Sequence, residues 1–333
     1  MAGWVRRIGA MLLVAGCATW AWVAALEGPV DATADEVAYW YVELELFVID
    51  LRLAPLLLAS VGVGLLVAPV VRSFGMGVAV VLGAAVAAEV VTATLDFASV
   101  APAVTAFALL VVLLGVVLMA RRGSGPDEEV TRQLTTSLGV VLLCSSVPME
   151  VYVEFDAGVL DALPDGYVAS VRVLQALMLV AGMSCVLLGM RRLTPFRAAV
   201  VVVTVAGLAL LFATPALSFD WVEIGALCVA AAVLTGCIVA GAGSSPLRVA
   251  VAAVVTGLSY PLVLWISAMM GFGLGSVPLG LNGGQIDYDG LPIFLAGPIS
   301  AMIVAFTVWG AGWIVLPPET QSTRRDPAHP MVT

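Results

Sequence analysis

Four ionisable side chains fall inside apolar stretches of this sequence and could form a polar binding site: Arg52, Arg172, Glu89 and Glu150. Ionisable groups within a membrane are costly, and they mark substrate pathways or pair with one another. Guanidinium groups bind carboxylates and phosphates, whereas carboxylates accept hydrogen bonds from arginine. These four residues therefore predict either a substrate pocket in which the two arginines face each other, or ion pairs that fix helix packing.

The four residues all lie in the outer third of the bilayer in the predicted spans. Glu89 lies about fifteen residues, or about 22 Å, from the inner end of its span at a rise of about 1.5 Å per residue, and Glu150 lies at a similar height. Arg52 and Arg172 lie near the outer ends of theirs. A pocket built from them would open to the outside.

Three prolines also interrupt predicted spans: Pro148, Pro261 and Pro298. Proline cannot donate the helical hydrogen bond and kinks a helix, and neighbouring serines can satisfy the freed carbonyl groups. These positions predict either gating hinges or static kinks.

The elements that would position these residues are membrane-spanning helices. The 333 residues are 62% hydrophobic and 11% charged, with a mean hydropathy of +1.10, whereas soluble domains carry roughly 25% charged residues. Apolar runs of the roughly 20 residues that cross a bilayer recur throughout, and backbone groups in lipid must be paired. We predict an all-α polytopic integral membrane protein with about ten transmembrane helices, at 6–26, 50–71, 74–97, 100–120, 134–154, 169–190, 197–217, 221–242, 247–272 and 291–315.

The arginines orient this arrangement. All fourteen basic residues are arginine, and all except Arg52 and Arg172 fall on one side of the ten-span arrangement, while most acidic residues fall on the other. Basic loops remain cytoplasmic, so both termini are predicted to be cytoplasmic. The arginine-only, Ala/Val-rich composition is typical of a GC-rich bacterial genome, which predicts the inner (plasma) membrane of a bacterium.

The sequence also contains an apparent internal repeat. Arg52 and Arg172 lie 120 residues apart, spans three and seven match at 122, and spans one and five match at 127, which pairs Cys17 with Cys144. We predict a parallel 4+4+2 arrangement: a first four-helix unit at 1–126, a second at 127–246, and two further helices at 247–316. Chance similarity between Ala/Val/Leu-rich segments is the alternative.

The segments that connect the predicted spans offer fewer indications of function than the spans do. An acidic outer loop is predicted at 27–49, a glycine-rich outer loop lies between the last two spans, and the polar segment 317–333 is predicted to be a disordered cytoplasmic tail. Besides the lipid bilayer, these loops could contact another envelope protein or a second copy of the chain.

The stretch "GAMLLVAGC" behind Arg6 and Arg7 resembles a lipoprotein signal ending at Cys17. Two features oppose lipidation of Cys17. The apolar run continues to Leu26, and Cys17 matches Cys144, which lies within span five. We therefore expect the first helix to be retained.

Little in the sequence points to catalysis. His329 is the one histidine and lies in the tail, lysine is absent, and the five cysteines fall in apolar runs. We expect no metal, no cofactor and no nucleic acid, and we do not expect an enzyme, although Asp, Glu, Ser or Arg could still act as acids or bases. The favoured function is a permease for a small or lipid-linked substrate. The alternative is a non-catalytic subunit or sensor that binds an envelope protein through its outer loops.

Overall fold

The computed structural model describes residues 1–26, 54–94, 102–121, 127–146, 167–213, 221–241 and 244–258. All regular structure within these residues is α-helical, which confirms the predicted all-α class. The nine described helices overlap the first nine predicted spans, and the tenth, 291–315, lies outside the described residues. The helices are α1 (Ala2–Leu26), α2 (Ala54–Val67), α3 (Phe74–Thr94), α4 (Pro102–Ala120), α5 (Glu128–Ser146), α6 (Tyr167–Gly189), α7 (Pro195–Ala213), α8 (Trp221–Gly241) and α9 (Pro246–Leu258).

Two of the described helices are long and apolar enough to cross a membrane. They run over Pro102–Ala120 and Ala169–Gly189, and about half or more of each lies at the surface of the bundle. A helix of about 20 apolar residues matches the hydrocarbon thickness of a bilayer. This length and composition support association with a membrane.

In the described part, four helices begin behind a polar side chain that caps the first turn. Asp127 Oδ1 accepts hydrogen bonds from the backbone nitrogens of Glu129 (3.0 Å) and Val130 (3.3 Å), so α5 begins at Glu128. The hydroxyls of Ser73, Thr194 and Ser245 accept from the third residue beyond in α3, α7 and α9. Such caps satisfy amide groups that have no partner inside the helix.

Glycines bring α1 and α2 into backbone contact. A methyl group added at Gly62 would lie 2.5 Å from the Leu13 nitrogen and 2.8 Å from the Gly9 carbonyl oxygen, and one at Gly16 would lie 2.6 Å from the Ala59 nitrogen. Gly9 lies beside Leu65, towards the end of α2, so the two helices are antiparallel. Small residues allow this close approach, which increases dispersion contact between helices.

Helices α5 and α6 form a second close antiparallel pair. A methyl group at Gly139 would lie 2.8 Å from the Gly182 carbonyl oxygen, and one at Gly182 would lie 2.9 Å from the Gly139 oxygen. Gly189, at the end of α6, lies against Thr136 near the start of α5. The α5–α6 pair therefore has the same kind of glycine contact as the α1–α2 pair.

The α5–α6 pair lies at the centre of the described bundle. Its residues belong to two apolar clusters, one shared with α1 to α4 and the other with α7 and α8. Helix α6 also packs on α1, while α5 contacts α2 through Leu138 against Gly64. Helix α5 therefore has neighbours on nearly every side.

Most described arginines lie at one end of this bundle. The Thr131 hydroxyl donates to the Ala68 oxygen (3.0 Å) and the Arg192 nitrogen donates to the Gly241 oxygen (3.0 Å), which joins the start of α5 to the end of α2 and the end of α6 to the end of α8. The start of α1 lies beside the end of α2, and the start of α9 lies beside the end of α8. Eight of the ten described arginines therefore share this end, which we term the arginine end. They are Arg6, Arg7, Arg72, Arg132, Arg191, Arg192, Arg197 and Arg248.

Candidate functional site

The structure describes one of the four predicted pocket residues in full. Arg172 lies in the second turn of α6, whereas Glu89 is described as part of α3 by its backbone alone, and Arg52 and Glu150 lie outside the described residues. Whether the four side chains meet therefore stays a prediction. The predicted hinge prolines Pro148, Pro261 and Pro298 also lie outside the described residues.

Arg172 belongs to a hydrogen-bonded chain that joins α6 to the end of α5. Its Nη1 donates to Gln175 Oε1 (2.9 Å), and Gln175 Nε2 donates to the backbone oxygen of Ser146 (3.1 Å). Gln175 is 2% exposed and Ser146 is fully buried, while Arg172 is half-buried. We term these three residues the Arg172 chain. Since both ends of the Gln175 amide are bonded within the protein, the guanidinium is held against a fixed partner.

The Arg172 chain lies at the end of the bundle opposite the arginine end. Arg172 and Gly189 are separated by seventeen residues of α6, or about 25 Å at a rise of about 1.5 Å per residue, and Gly189 contacts the start of α5 at the arginine end. A guanidinium is planar, permanently charged and carries five N–H donors, so it suits a carboxylate or phosphate group. Chemically, this end of α6 offers recognition of an anion.

A second polar region, not predicted from the sequence, lies on α5 near the arginine end. In the first half of α5, five polar side chains are at most 6% exposed. They are Thr131, Gln133, Thr135, Thr136 and Ser137. We predicted span five to begin at residue 134, because "EEVTRQ" reads as a polar loop. The run "TRQLTTS" is polar by composition, and its burial follows from packing against α2 and α6.

Most of these hydroxyls bond back to their own helix. Thr135 Oγ1 donates to the Thr131 oxygen (2.6 Å), and Thr136 Oγ1 donates to the Arg132 oxygen (3.0 Å). The hydroxyls of Ser137, of Ser60 on α2 and of Thr105 on α4 are buried without a hydrogen-bond partner among the described residues. Buried hydroxyls normally have a partner, so these three could bond to a solute or to water.

The remaining predictions about sites concern Cys17 and metals. Cys17 is buried within α1, which continues to Leu26. Among the described residues, no group of three or more histidine, cysteine, aspartate or glutamate side chains is placed to hold a metal ion. An exposed ion pair, Arg132 Nη2 to Glu128 Oε1 (2.6 Å), lies at the arginine end, where the Arg132 hydrogen bond lowers the pKa of the Glu128 carboxyl.

Comparison with known proteins provides no further assignment. No protein-family model matches the chain, and no curated protein and no solved structure is significantly similar to it. The function is therefore inferred from the arrangement of the described helices and their buried polar groups.

Proposed function

We propose that this chain is a multi-spanning permease of a bacterial inner membrane that carries a small or lipid-linked substrate past α5 and α6. The buried polar side chains of α5 carry the proposal, because they occupy the centre of an apolar bundle. The Arg172 chain continues the polar groups at the opposite end of the same helix pair. Together these groups offer polar contacts near both ends of the bundle.

The buried hydroxyls without partners are energetically costly. Burying a hydroxyl without a hydrogen bond costs about 1–3 kcal/mol in proteins, and Ser137, Ser60 and Thr105 each bear this cost among the described residues. If these three positions served packing alone, alanine or valine at them would make the fold more stable. A polar solute that passes these hydroxyls would supply the missing hydrogen bonds and accounts for their presence.

We further propose about ten spans, with both termini in the cytoplasm. The support is that eight described arginines from five separate segments of the chain share the arginine end. Arginine-rich loops are retained on the cytoplasmic side during insertion, so the arginine end would face the cytoplasm. The Arg172 chain would then face outwards, as the predicted pocket requires.

An internal repeat of two parallel four-helix units, 1–126 and 127–246, forms part of the same proposal. The α1–α2 and α5–α6 pairs support it, because Gly9 and Gly139 meet equivalent atoms that lie 120 positions apart. These atoms are the carbonyl oxygens of Gly62 and Gly182, the Cβ atoms of Leu65 and Cys185, and the amide nitrogens of Leu66 and Val186. Packing of α1 on α6 and of α2 on α5 fits a twofold axis along the membrane normal.

These contacts favour a slightly different repeat register from the one predicted. Gly139 follows Gly9 by 130 positions, whereas pairing Cys17 with Cys144 requires 127. We term the alignment of Gly9 with Gly139 the contact register. It shifts α1 relative to α5 by three residues, just under one helical turn. Since Cys17 and Cys144 then no longer correspond, the case against lipidation rests on the apolar run and on the burial of Cys17.

The contact register also makes the two helix pairs differ where a substrate would bind. At the positions of Gly16 and Pro55 in the first pair, the second pair has Ser146 and Gln175. The first pair is closed there by backbone contact, while the second is joined by a side-chain amide that also holds Arg172. A single recognition site in a duplicated bundle requires such a difference.

The proposal can be tested by complementation of a deletion strain, with exchanged metabolites measured by mass spectrometry. Thr135→Val and Arg172→Gln remove polar groups from the proposed route, while Thr204→Val is the matched control on α7, where the hydroxyl bonds back to the Val200 oxygen (2.8 Å). We expect that wild type and Thr204→Val restore the altered metabolite at equal membrane levels, and that the other two variants do not.

Two results would decide against the proposal. Full complementation by both Thr135→Val and Arg172→Gln would refute a polar substrate route past α5 and α6. If a deletion within the acidic segment 27–49 abolished complementation at the same time, the chain would instead act through its outer loops, as the subunit or sensor alternative requires.

A further inference from the structure

Helix α1 has one continuous exposed face. Its solvent-exposed residues recur at spacings of three and four, so they form a single stripe along the helix. Trp4 is 61% exposed, Met11 is 64% exposed, and Trp22 is 43% exposed. We term this surface the α1 stripe; it comprises Trp4, Arg7, Met11, Val14, Ala18 and Trp22.

The α1 stripe lies opposite the face that packs on α2. Gly9, Leu13 and Gly16 contact α2, and at about 100° per residue their mean direction is roughly 180° from that of the stripe. The other faces of α1 pack on α4 and α6. The stripe is therefore the outward surface of α1 in the described bundle.

The two tryptophans of the stripe are separated by the thickness of a bilayer. Trp4 and Trp22 are eighteen residues apart, or about 27 Å along the helix axis at about 1.5 Å per residue. The hydrocarbon core of a bilayer is about 30 Å thick. Tryptophan is enriched at both membrane interfaces, and beyond Arg6 and Arg7 the exposed residues between the two tryptophans, from Ala10 to Ala18, are apolar. This spacing identifies lipid as the occupant of the stripe.

The end of the stripe near Trp4 differs chemically from the end near Trp22. The Arg7 guanidinium lies 5.1 Å from the centre of the Trp4 ring, and Arg6 is also exposed next to it. Stacking on the ring holds the cation at the level of the aromatic belt. A lipid phosphate at this level would contact the Arg7 guanidinium, which is held against the Trp4 ring.

We propose that the α1 stripe faces lipid acyl chains and that Trp4 and Arg7 bind the phosphate of an anionic phospholipid. The site adds a lipid partner to the bundle and rests on its membrane-spanning arrangement, not on transport. Its occupant is a lipid headgroup, because the apolar stripe that continues from it accommodates the acyl chains of the same molecule.

The test titrates the purified full-length chain in detergent with dioleoyl phosphatidylglycerol or dioleoyl phosphatidylcholine and counts bound lipid by native mass spectrometry. Arg7→Gln should weaken phosphatidylglycerol binding about fivefold, the effect expected of one arginine near an anionic surface. Trp4→Leu should weaken it about two- to fivefold because the cation–π contact is lost. Phosphatidylcholine binding should stay unchanged in both variants.

The matched control is Arg72→Gln, which removes an exposed arginine from the same end of the bundle. Phosphatidylglycerol binding that is unaffected by Arg7→Gln, or reduced equally by Arg72→Gln, would overturn the proposal. Displacement of the lipid by an equal concentration of soluble glycerol phosphate would overturn it too, since the site would then recognise a free phosphate. Extraction of the wild-type chain from membranes by alkaline carbonate would instead refute the membrane-spanning arrangement, so the two failures are distinguishable.

Discussion

Adding one methyl group at Gly62 should separate the α1–α2 pair. The new Cβ would lie 2.5 Å from the Leu13 nitrogen, 2.8 Å from the Gly9 oxygen and 3.0 Å from the Leu13 Cα. All three are backbone atoms, so a side-chain rotation cannot relieve the contact. The helices must move apart by about 0.9 Å to bring the shortest distance to the 3.4 Å of ordinary contact.

Two opposing contributions determine the size of the effect. Overpacking a close contact costs about 1–3 kcal/mol. Replacing glycine by alanine inside a helix contributes about 0.5–1 kcal/mol of stabilisation, because the unfolded chain loses freedom. The net change for Gly62→Ala is therefore a destabilisation of up to about 2.5 kcal/mol, and about 1 kcal/mol from the middle of the two ranges.

The control is Gly115→Ala on α4, where an added methyl group meets no atom within 4 Å. This variant gains the helix contribution without the steric cost and should be more stable than wild type by about 0.5–1 kcal/mol. The free energy of unfolding of both variants is measured by circular dichroism during titration of detergent micelles with sodium dodecyl sulfate.

Equal changes in the unfolding free energy of Gly62→Ala and Gly115→Ala would contradict a steric effect at the α1–α2 contact. Gly182→Ala provides a second comparison within the α5–α6 pair, where the new methyl group would lie 2.9 Å from the Gly139 oxygen and 2.8 Å from the Leu143 side chain. It should also destabilise, but less than Gly62→Ala, because the Leu143 side chain can move.

Three further changes have defined outcomes. Gln175→Leu should destabilise by about 1–3 kcal/mol in the same unfolding assay, because the buried Ser146 oxygen loses its hydrogen bond. Asp127→Ala should cost about 1 kcal/mol, the usual cost of losing a helix cap. Glu128→Gln should slightly lower the melting temperature at neutral pH. Since Arg132 lowers the pKa of Glu128 in the folded state, this difference should vanish as the pH falls through that pKa.

Two of these changes have a control on the same helix. Ser184→Ala removes a hydroxyl that bonds to the Val180 oxygen of its own helix, and it should leave stability nearly unchanged, in contrast to Gln175→Leu. Glu129→Ala is the control for Asp127→Ala, because it changes a neighbouring acidic residue that does not cap α5. A difference between Glu128→Gln and wild type that persisted at acidic pH would contradict an origin in the charged pair.

The helices themselves were predictable from the sequence, since long apolar runs leave few alternatives for a backbone whose polar groups must be paired. The starts of several helices were also encoded locally, as at Thr194 before α7. The start of α5 was predicted six residues late. Its polar first turns resemble a loop by composition, and the evidence that they are buried comes from packing against α2 and α6.

Of the candidate site, the sequence identified Arg172 but not its partners. A single glutamine in an apolar run has no distinguishing pattern, and its role depends on the Ser146 carbonyl of another helix, 29 residues earlier in the chain. The register of the proposed repeat was similarly ambiguous. In segments rich in Ala, Val and Leu, a shift of three residues changes few sequence matches, whereas the glycine contacts distinguish the two registers.

The two glycine-packed pairs also bear on how the chain can change during evolution. Gly62 follows Gly9 by 53 residues, while Gly182 follows Gly139 by 43, yet the contacting atoms are equivalent. Under the proposed duplication, ten additional residues in the connection leave the contact between the helices unchanged. The pairing is encoded in the helix surfaces, so the connecting segments of such a bundle can lengthen, shorten and diversify while the helix pairs are preserved.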